Sequence, residues 1–272
     1  MKLEPIFPEW GNTMSVESLT EVLSLDNKYV TDLVVNHDLL VVRGCGANLT
    51  DHELVAFTSK FGKVWDQSVY DKWYIAPKSS SINSDKTVDY YKGKMNMPWH
   101  ADMPHIENDS YPGRMLYMSK NTIDQSGNTT WLHLEHAWSQ LTDQERKSYN
   151  NYEFVFHDYY RPNTRMEKFP FLKINPKTNK ISPRINCYYS TKFIFAWIHH
   201  VELNGTQLNE NDLDKFMSDT YSKLEQQNNV IYDHTWEEGD IVIYNNWASV
   251  HKRATVDSQS PRLLKRLTFN FN

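Results

Sequence analysis

The sequence predicts a mainly β fold with inserted helices (α+β), a β-sandwich or jelly roll rather than an alternating β/α fold. Three observations carry that prediction. Short apolar runs separated by Pro, Asn and Gly turns fill the second half of the chain. Helical periodicity is confined to a few well-capped segments. Hydrophobic residues make up only 39% of the 272 but aromatic residues 14%, so the core must draw on Tyr, Trp and Phe more than on long aliphatic runs. No repeat, low-complexity tract or Gly/Ser linker interrupts the chain, and 1–272 reads as one domain.

The N-terminal third reads as largely helical, with one strand, Leu39-Leu40-Val41-Val42-Arg43, ending at Gly44-Cys45-Gly46. Thr50 and Glu53 form a capping box, Leu54, Phe57 and Phe61 share the face of the helix that follows, and Gly62 is expected to stop it. A polar, aperiodic stretch at 77–97 reads as a lid or loop, bracketed by Tyr70, Trp73, Tyr74, Tyr90 and Tyr91. Arg114–Met118 is a strand, and Thr142 with Glu145 caps a short helix running to about Asn150. The cluster Asn175–Asn179 is a turn between strands at 171–174 and 181–186. Residues 209–227 form an amphipathic helical insertion with Leu213, Phe216, Met217, Tyr221 and Leu224 on one face. Glu238-Gly239-Asp240 turns into a strand at 241–244, and a last strand starts at Arg266.

Composition narrows the function classes. A net charge of −5 implies no nucleic-acid partner. No run is long enough to cross a bilayer, and the opening residues lack the pattern of a secretory signal. Two cysteines exclude a disulfide scaffold and a cysteine-based zinc site. The expectation is a cytoplasmic protein acting on a small molecule, with homo-oligomer formation left open. What stands out is a surplus of 11 histidines and a basic stretch formed by Lys252, Arg253, Arg262, Lys265 and Arg266.

A facial iron site needs two imidazoles and one carboxylate, and His-x-Asp or His-x-Glu on a strand supplies two of them from one face. About one such pair is expected by chance in this composition, so a single match says little. Four occur: His100/Asp102, His105/Glu107, His133/Glu135 and His200/Glu202. The third falls where a helix begins and its side chains diverge. The fourth reads as a strand-face histidine with a satisfied hydrogen bond, and the second lies in a solvated polar run. His100/Asp102, between Pro98-Trp99 and Met103-Pro104, has the drier frame. Downstream, His251 is followed at offsets of 11 and 15 residues by Arg262 and Arg266, in a chain with nine arginines.

With these residues in view, the chain resembles the taurine and 2,4-dichlorophenoxyacetate (TauD/TfdA) dioxygenases. Trp99-His100-Ala101-Asp102 resembles the family's W-H-x-D motif, Gly127-Asn128-Thr129-Thr130-Trp131 its G-[DN]-T-x-W segment, and Pro170–Asn186 a family hairpin. Gly239-Asp240 through His251, Arg262 and Arg266 resembles the C-terminal signature, and the N-terminal strand and helix resemble the family's opening. Departures are Asn245 and Trp247, where the family commonly has Asp and Arg, and Asn175 in place of the hairpin His.

The resemblance implies a double-stranded β-helix (cupin-like jelly roll) and an Fe(II)/2-oxoglutarate-dependent oxygenase. In that reading His100, Asp102 and His251 hold Fe(II), Arg262 and Thr129 bind 2-oxoglutarate, and Arg266 and Asn96 contact the substrate. O2 and 2-oxoglutarate would become succinate and CO2 as a C–H bond of a small, anionic molecule is hydroxylated. Asp102, in place of a small residue, favours oxygenation over halogenation. Desaturation, epimerisation or cyclisation on the same fold, and an inactive jelly-roll binding protein, are the alternatives.

Overall fold

The computed structural model describes residues 1–65, 97–102, 112–156, 166–187, 198–256 and 262–271. The expected lid apart from Met97, its flanking tyrosines and Trp73, Asn96 and the His105/Glu107 pair lie outside those residues.

The chain opens with strands β1 (Lys2–Pro5) and β2 (Asn12–Ser15), helices α1 (Leu19–Leu23) and α2 (Asn27–His37), and strand β3 (Leu39–Arg43). The N-terminal region is therefore less helical than its sequence suggests. β1 is a polar edge strand with no apolar alternation to betray it, held by backbone pairing with β2. Next come α3 (Asp51–Thr58) and β4 (Gly62–Val64). The capping box forms as expected, Thr50 Oγ1 accepting from Glu53 N–H and the Glu53 carboxylate accepting from Thr50 N–H at 2.8 Å. Gly62 does not stop this helix. It starts β4, where a Cβ would lie 1.8 Å from the carbonyl oxygen of Asn270, so glycine permits close strand approach.

Then follow β5 (Met97–His100), β6 (Pro112–Lys120), β7 (Thr129–His133), and helices α4 (Leu134–Gln140) and α5 (Asp143–Lys147). The capping box of α5 forms, but the helix is shorter than expected. The N–H groups of Ser148, Tyr149 and Asn150 bond three residues back, tightening the last turn. The remaining elements are β8 (Tyr152–Phe156), β9 (Glu167–Pro170), β10 (Leu172–Ile174), β11 (Ile181–Pro183), β12 (Ile198–Leu203), β13 (Thr206–Gln207), α6 (Glu210–Glu225), β14 (Ile231–His234), β15 (Ile241–Asn245), β16 (Ser249–Arg253) and β17 (Leu263–Phe271). The final strand thus begins three residues before Arg266. No described helix is long and apolar enough to cross a membrane.

The strands form a seven-stranded sheet ordered β1-β2-β3-β15-β6-β17-β4, two four-stranded sheets ordered β14-β7-β16-β5 and β13-β12-β8-β9, and the hairpin β10-β11. Side-chain alternation sorts them into layers. On the large sheet, Leu40, Val42, Ile241, Ile243, Met115 and Phe269 pack under α1, α2 and α3. Its opposite face, with Val41, Leu116, Met118, Val242 and Tyr244, meets Trp131 of β7. The other face of that smaller sheet, with Trp99, Leu132 and Val250, packs on α4, α6 and the third sheet through Trp138, Phe154, Phe156, Phe171 and Phe216. The core is as aromatic as the composition requires. The arrangement is the jelly roll expected, and the interior between its two central sheets is where the histidines of interest meet.

A buried polar pin joins these layers. Asp38, at the left-handed C-cap of α2, accepts hydrogen bonds from His133 Nε2 and Asn245 Nδ2, each at 2.7 Å. His133 Nδ1 in turn accepts the His136 N–H, so the ring proton sits on Nε2 and is directed at Asp38. Replacing His133 by alanine leaves a buried carboxylate short of a donor. His133→Ala is expected to lose about 3–5 kcal/mol of unfolding free energy in a denaturant titration. His200→Ala, at a half-buried strand-face position, is expected to lose about 1 kcal/mol or less.

Candidate metal centre

β5 and β16 are neighbouring antiparallel strands, and His100 stands directly opposite His251 in their register. Both side chains point away from the Leu132/Val250 face and into the space between the sheets. Asp102, two residues beyond His100, completes the cluster: one donor atom from each of the three residues lies within 4.8 Å of the others. The imidazole centroids of His100 and His251 are 4.2 Å apart, and Tyr244 stands 5.3 Å from His251.

The electrostatics suit a cation. Burial lowers His100 and, far more, His251, whose partner imidazole adds to the effect, so both rings are held neutral, the form that binds metals. His100 Nδ1 faces the Pro98 carbonyl at 2.8 Å, which puts the proton there and leaves Nε2 as the lone-pair nitrogen. His251 Nδ1 is buried and has no hydrogen-bond partner among the described residues. Burial alone would raise the Asp102 carboxyl, but Arg266, helped by Arg114, holds it well below the usual carboxylate range. Two neutral imidazoles and one ionised carboxylate converging on one point fit a divalent metal of the 2-His-1-carboxylate type.

Asp102 is anchored from the opposite sheet. Its Oδ2 pairs with Arg266 Nη1 at 2.8 Å and Arg114 Nε at 3.4 Å, and accepts from the Tyr244 hydroxyl at 3.5 Å. Arg114 and Tyr244 are cross-strand partners on β6 and β15, with Arg266 on adjacent β17. Arg114 is 1% exposed, and the sequence reading passed over it because its importance lies in a contact across two sheets. Arg253 stands out in the sequence only as a member of the basic stretch. It lies two residues after His251 on β16, opposite Thr129, and it lowers both His100 and Arg262.

Arg262 precedes β17 and donates from Nη2 to the Gly127 carbonyl at 3.0 Å. Gly127 has a φ of +84°, and a Cβ there would press on Val256 at 2.8 Å and Arg262 Nε at 3.4 Å. Burial, with Arg253 beside it, pulls the Arg262 guanidinium down to about 9. Among the described residues its buried Nε has no hydrogen-bond partner and no carboxylate pairs with it. Thr129 is buried at the start of β7, and its Oγ1 accepts from Trp236 Nε1 at 2.9 Å.

The other basic residues have local duties. Lys265 reaches Asp51 at 2.9 Å, and Lys252 lies over the Trp99 ring at 4.3 Å. His200 contacts Glu202 at 3.1 Å, a strand-face pair as expected, and His133 is the pin on Asp38.

Comparison with known proteins agrees with this geometry. The model of the "Taurine catabolism dioxygenase TauD, TfdA family" matches residues 2–268. An alkylsulfatase from Acinetobacter baylyi is 22% identical over 257 residues, spanning 92% of this chain and 78% of that protein. Among solved structures, a taurine dioxygenase from Burkholderia xenovorans superposes with a TM-score of 0.70 at 16% identity, covering 100% of this chain and 91% of its own. The AAD-2 protein, crystallised with Mn(II) and N-oxalylglycine, gives 0.69 at 15% identity, with 100% and 98% coverage. The chain therefore belongs to the TauD/TfdA family of dioxygenases and is an Fe(II)/2-oxoglutarate-dependent oxygenase.

Proposed function

We propose that this enzyme hydroxylates a C–H bond of a small anionic organic molecule, with His100, Asp102 and His251 holding Fe(II). When bound, the ferrous centre supplies the oxidising chemistry in which O2 and 2-oxoglutarate become succinate and CO2. The observation that carries the reading is the convergence of those three donors on one point, in a chain that also buries Arg262, a cation held by the Gly127 carbonyl and with no carboxylate partner among the described residues.

The protein's own groups divide the remaining work. Arg262 offers its planar fork to the far carboxylate of 2-oxoglutarate, and Gly127 keeps its approach open. Thr129 accepts from Trp236, which leaves its hydroxyl proton to donate to the same carboxylate. Trp131 and Tyr244 pack on the His251 side of the centre and exclude water from it.

The anionic substrate is supported by charge. Arg114 and Arg266 flank the carboxylate of Asp102, two guanidinium charges against one, and Arg253 adds to the positive charge beside Arg262. 2-Oxoglutarate answers Arg262, and the excess remaining favours a substrate anion near Arg266. Arg266 already touches Asp102, so it would bind that anion while still bracing the carboxylate. Asn96 joins as a substrate contact on its place in the sequence, four residues before His100. Desaturation, epimerisation and cyclisation are separated from hydroxylation by product mass.

His251→Ala is expected to abolish both turnover and the visible charge-transfer band that Fe(II) and 2-oxoglutarate give under anaerobic conditions, whereas His200→Ala retains both. Loss in both variants alike would overturn the ligand assignment. Arg262→Ala is expected to weaken 2-oxoglutarate binding by about 2–5 kcal/mol, read as a raised KM for the cosubstrate. An unchanged KM removes Arg262 from that role. A screen of sulfonates, aryloxyacetates, amino acids and sugar acids for stimulated succinate formation tests the substrate class.

A further inference from the structure

Asp102 lies just past the end of β5, where its peptide groups have no strand partner among the described residues. A side chain takes the partner's place. Asn246, in the turn joining β15 to β16, accepts the Asp102 N–H on Oδ1 at 3.1 Å and donates from Nδ2 to the Asp102 carbonyl at 2.8 Å. A carboxamide has the donor–acceptor pair of a peptide group, so Asn246 extends the ladder by one rung exactly where the backbone cannot.

The residue is 1% exposed, and its own position is fixed. Its N–H bonds to the Pro112 carbonyl at 3.2 Å, and the turn is closed by Trp247 N–H on Asn245 Oδ1 and by Ser249 Oγ on the Asn245 carbonyl. Neighbouring contacts brace the same segment, Asn186 Nδ2 on the Ala101 carbonyl at 3.0 Å and Arg114 Nη2 on the Asp102 carbonyl at 3.3 Å. Of the side chains named, only Asn246 takes hold of both the N–H and the C=O of Asp102.

We infer that Asn246 is a positioning residue for the metal-binding carboxylate: by clamping the Asp102 backbone on both sides it sets the direction from which that carboxylate meets the metal. The inference rests on Asp102 being a ligand. Alanine at 246 strips the Asp102 N–H of its partner. Aspartate keeps the shape and the acceptor but loses the donor and sets a second negative charge beside Asp102. Groups that orient a ligand without touching the metal change metal affinity by about 10–100-fold when lost.

The test is anaerobic titration of the purified metal-free protein with Co(II), following affinity by calorimetry and ligand geometry by the visible d–d band. Asn246→Ala and Asn246→Asp are expected to raise the Co(II) Kd about 10–100-fold and to shift the band. Asn175→Ala serves as the control, since it removes a buried amide that bonds Glu135 at 2.7 Å. It is expected to lower Tm with Kd and band unchanged. A folded Asn246 variant with wild-type Kd and band overturns the inference, as does an equal change in Asn175→Ala. If the alanine variant does not fold, the aspartate variant decides. Failure of both to fold assigns Asn246 to the fold and also overturns it. Absence of Co(II) binding by the unaltered protein would instead bring down the reading of the site itself.

Discussion

Burial of one carboxylate between two sheets is the constraint on which the rest of the architecture turns. An ionised Asp102 in this interior is unstable unless opposite charge and hydrogen bonds reach it. They come from three adjacent strands of the seven-stranded sheet: Tyr244 on β15, Arg114 on β6 and Arg266 on β17. Asp102 itself belongs to the opposing sheet through β5. The contact therefore does two jobs, cross-linking the sheets and keeping a negative donor beside two neutral imidazoles. Order of strands, alternation along them and the placement of arginines all serve that arrangement.

Much of the fold was legible in local pattern. Thr50 with Glu53 and Thr142 with Glu145 announced their helices, and the Leu213/Phe216/Met217/Tyr221/Leu224 face announced α6. Those signals are local and physical, caps and periodicity, and survive any tertiary context. The polar edge strand β1 carried no such signal. Gly62 misled because a glycine after a helix ordinarily terminates it, whereas here it lets two backbones approach. At the site, His100, Asp102 and His251 could be singled out by spacing and resemblance, but Arg114, Tyr244 and Asn246 could not. Each matters through a partner remote in sequence, and a single sequence has no local signature for such pairs.

The departures from the family pattern have physical counterparts. Asn245 donates to Asp38 on one side and accepts from Trp247 N–H on the other. An aspartate at 245 would set a second carboxylate against Asp38, so the amide here and the acid there belong together. Asn175 likewise donates to the buried Glu135, whose carboxyl is raised by burial and by Asp38. Lys173 covers the Trp247 ring at 4.9 Å, a cation on an aromatic face at the same turn.

β5 is four residues long and occupies the edge of its sheet among the described strands. Besides its pairing with β16, it is held on the outer side through Trp99, which donates to Glu225, stacks on Tyr221 and lies under Lys252. An edge of this kind opens locally at less free energy than the core strands beside it. Such an opening draws His100 away from His251, which stays in the sheet on β16, while Asp102 is held back by Asn246, Arg114 and Arg266. In the proposed site, escape of a bound ion would then couple to fraying of this strand through His100. Its residence time and the hydrogen-exchange protection of β5 would then both respond to the helix 210–225, which grips Trp99 from outside.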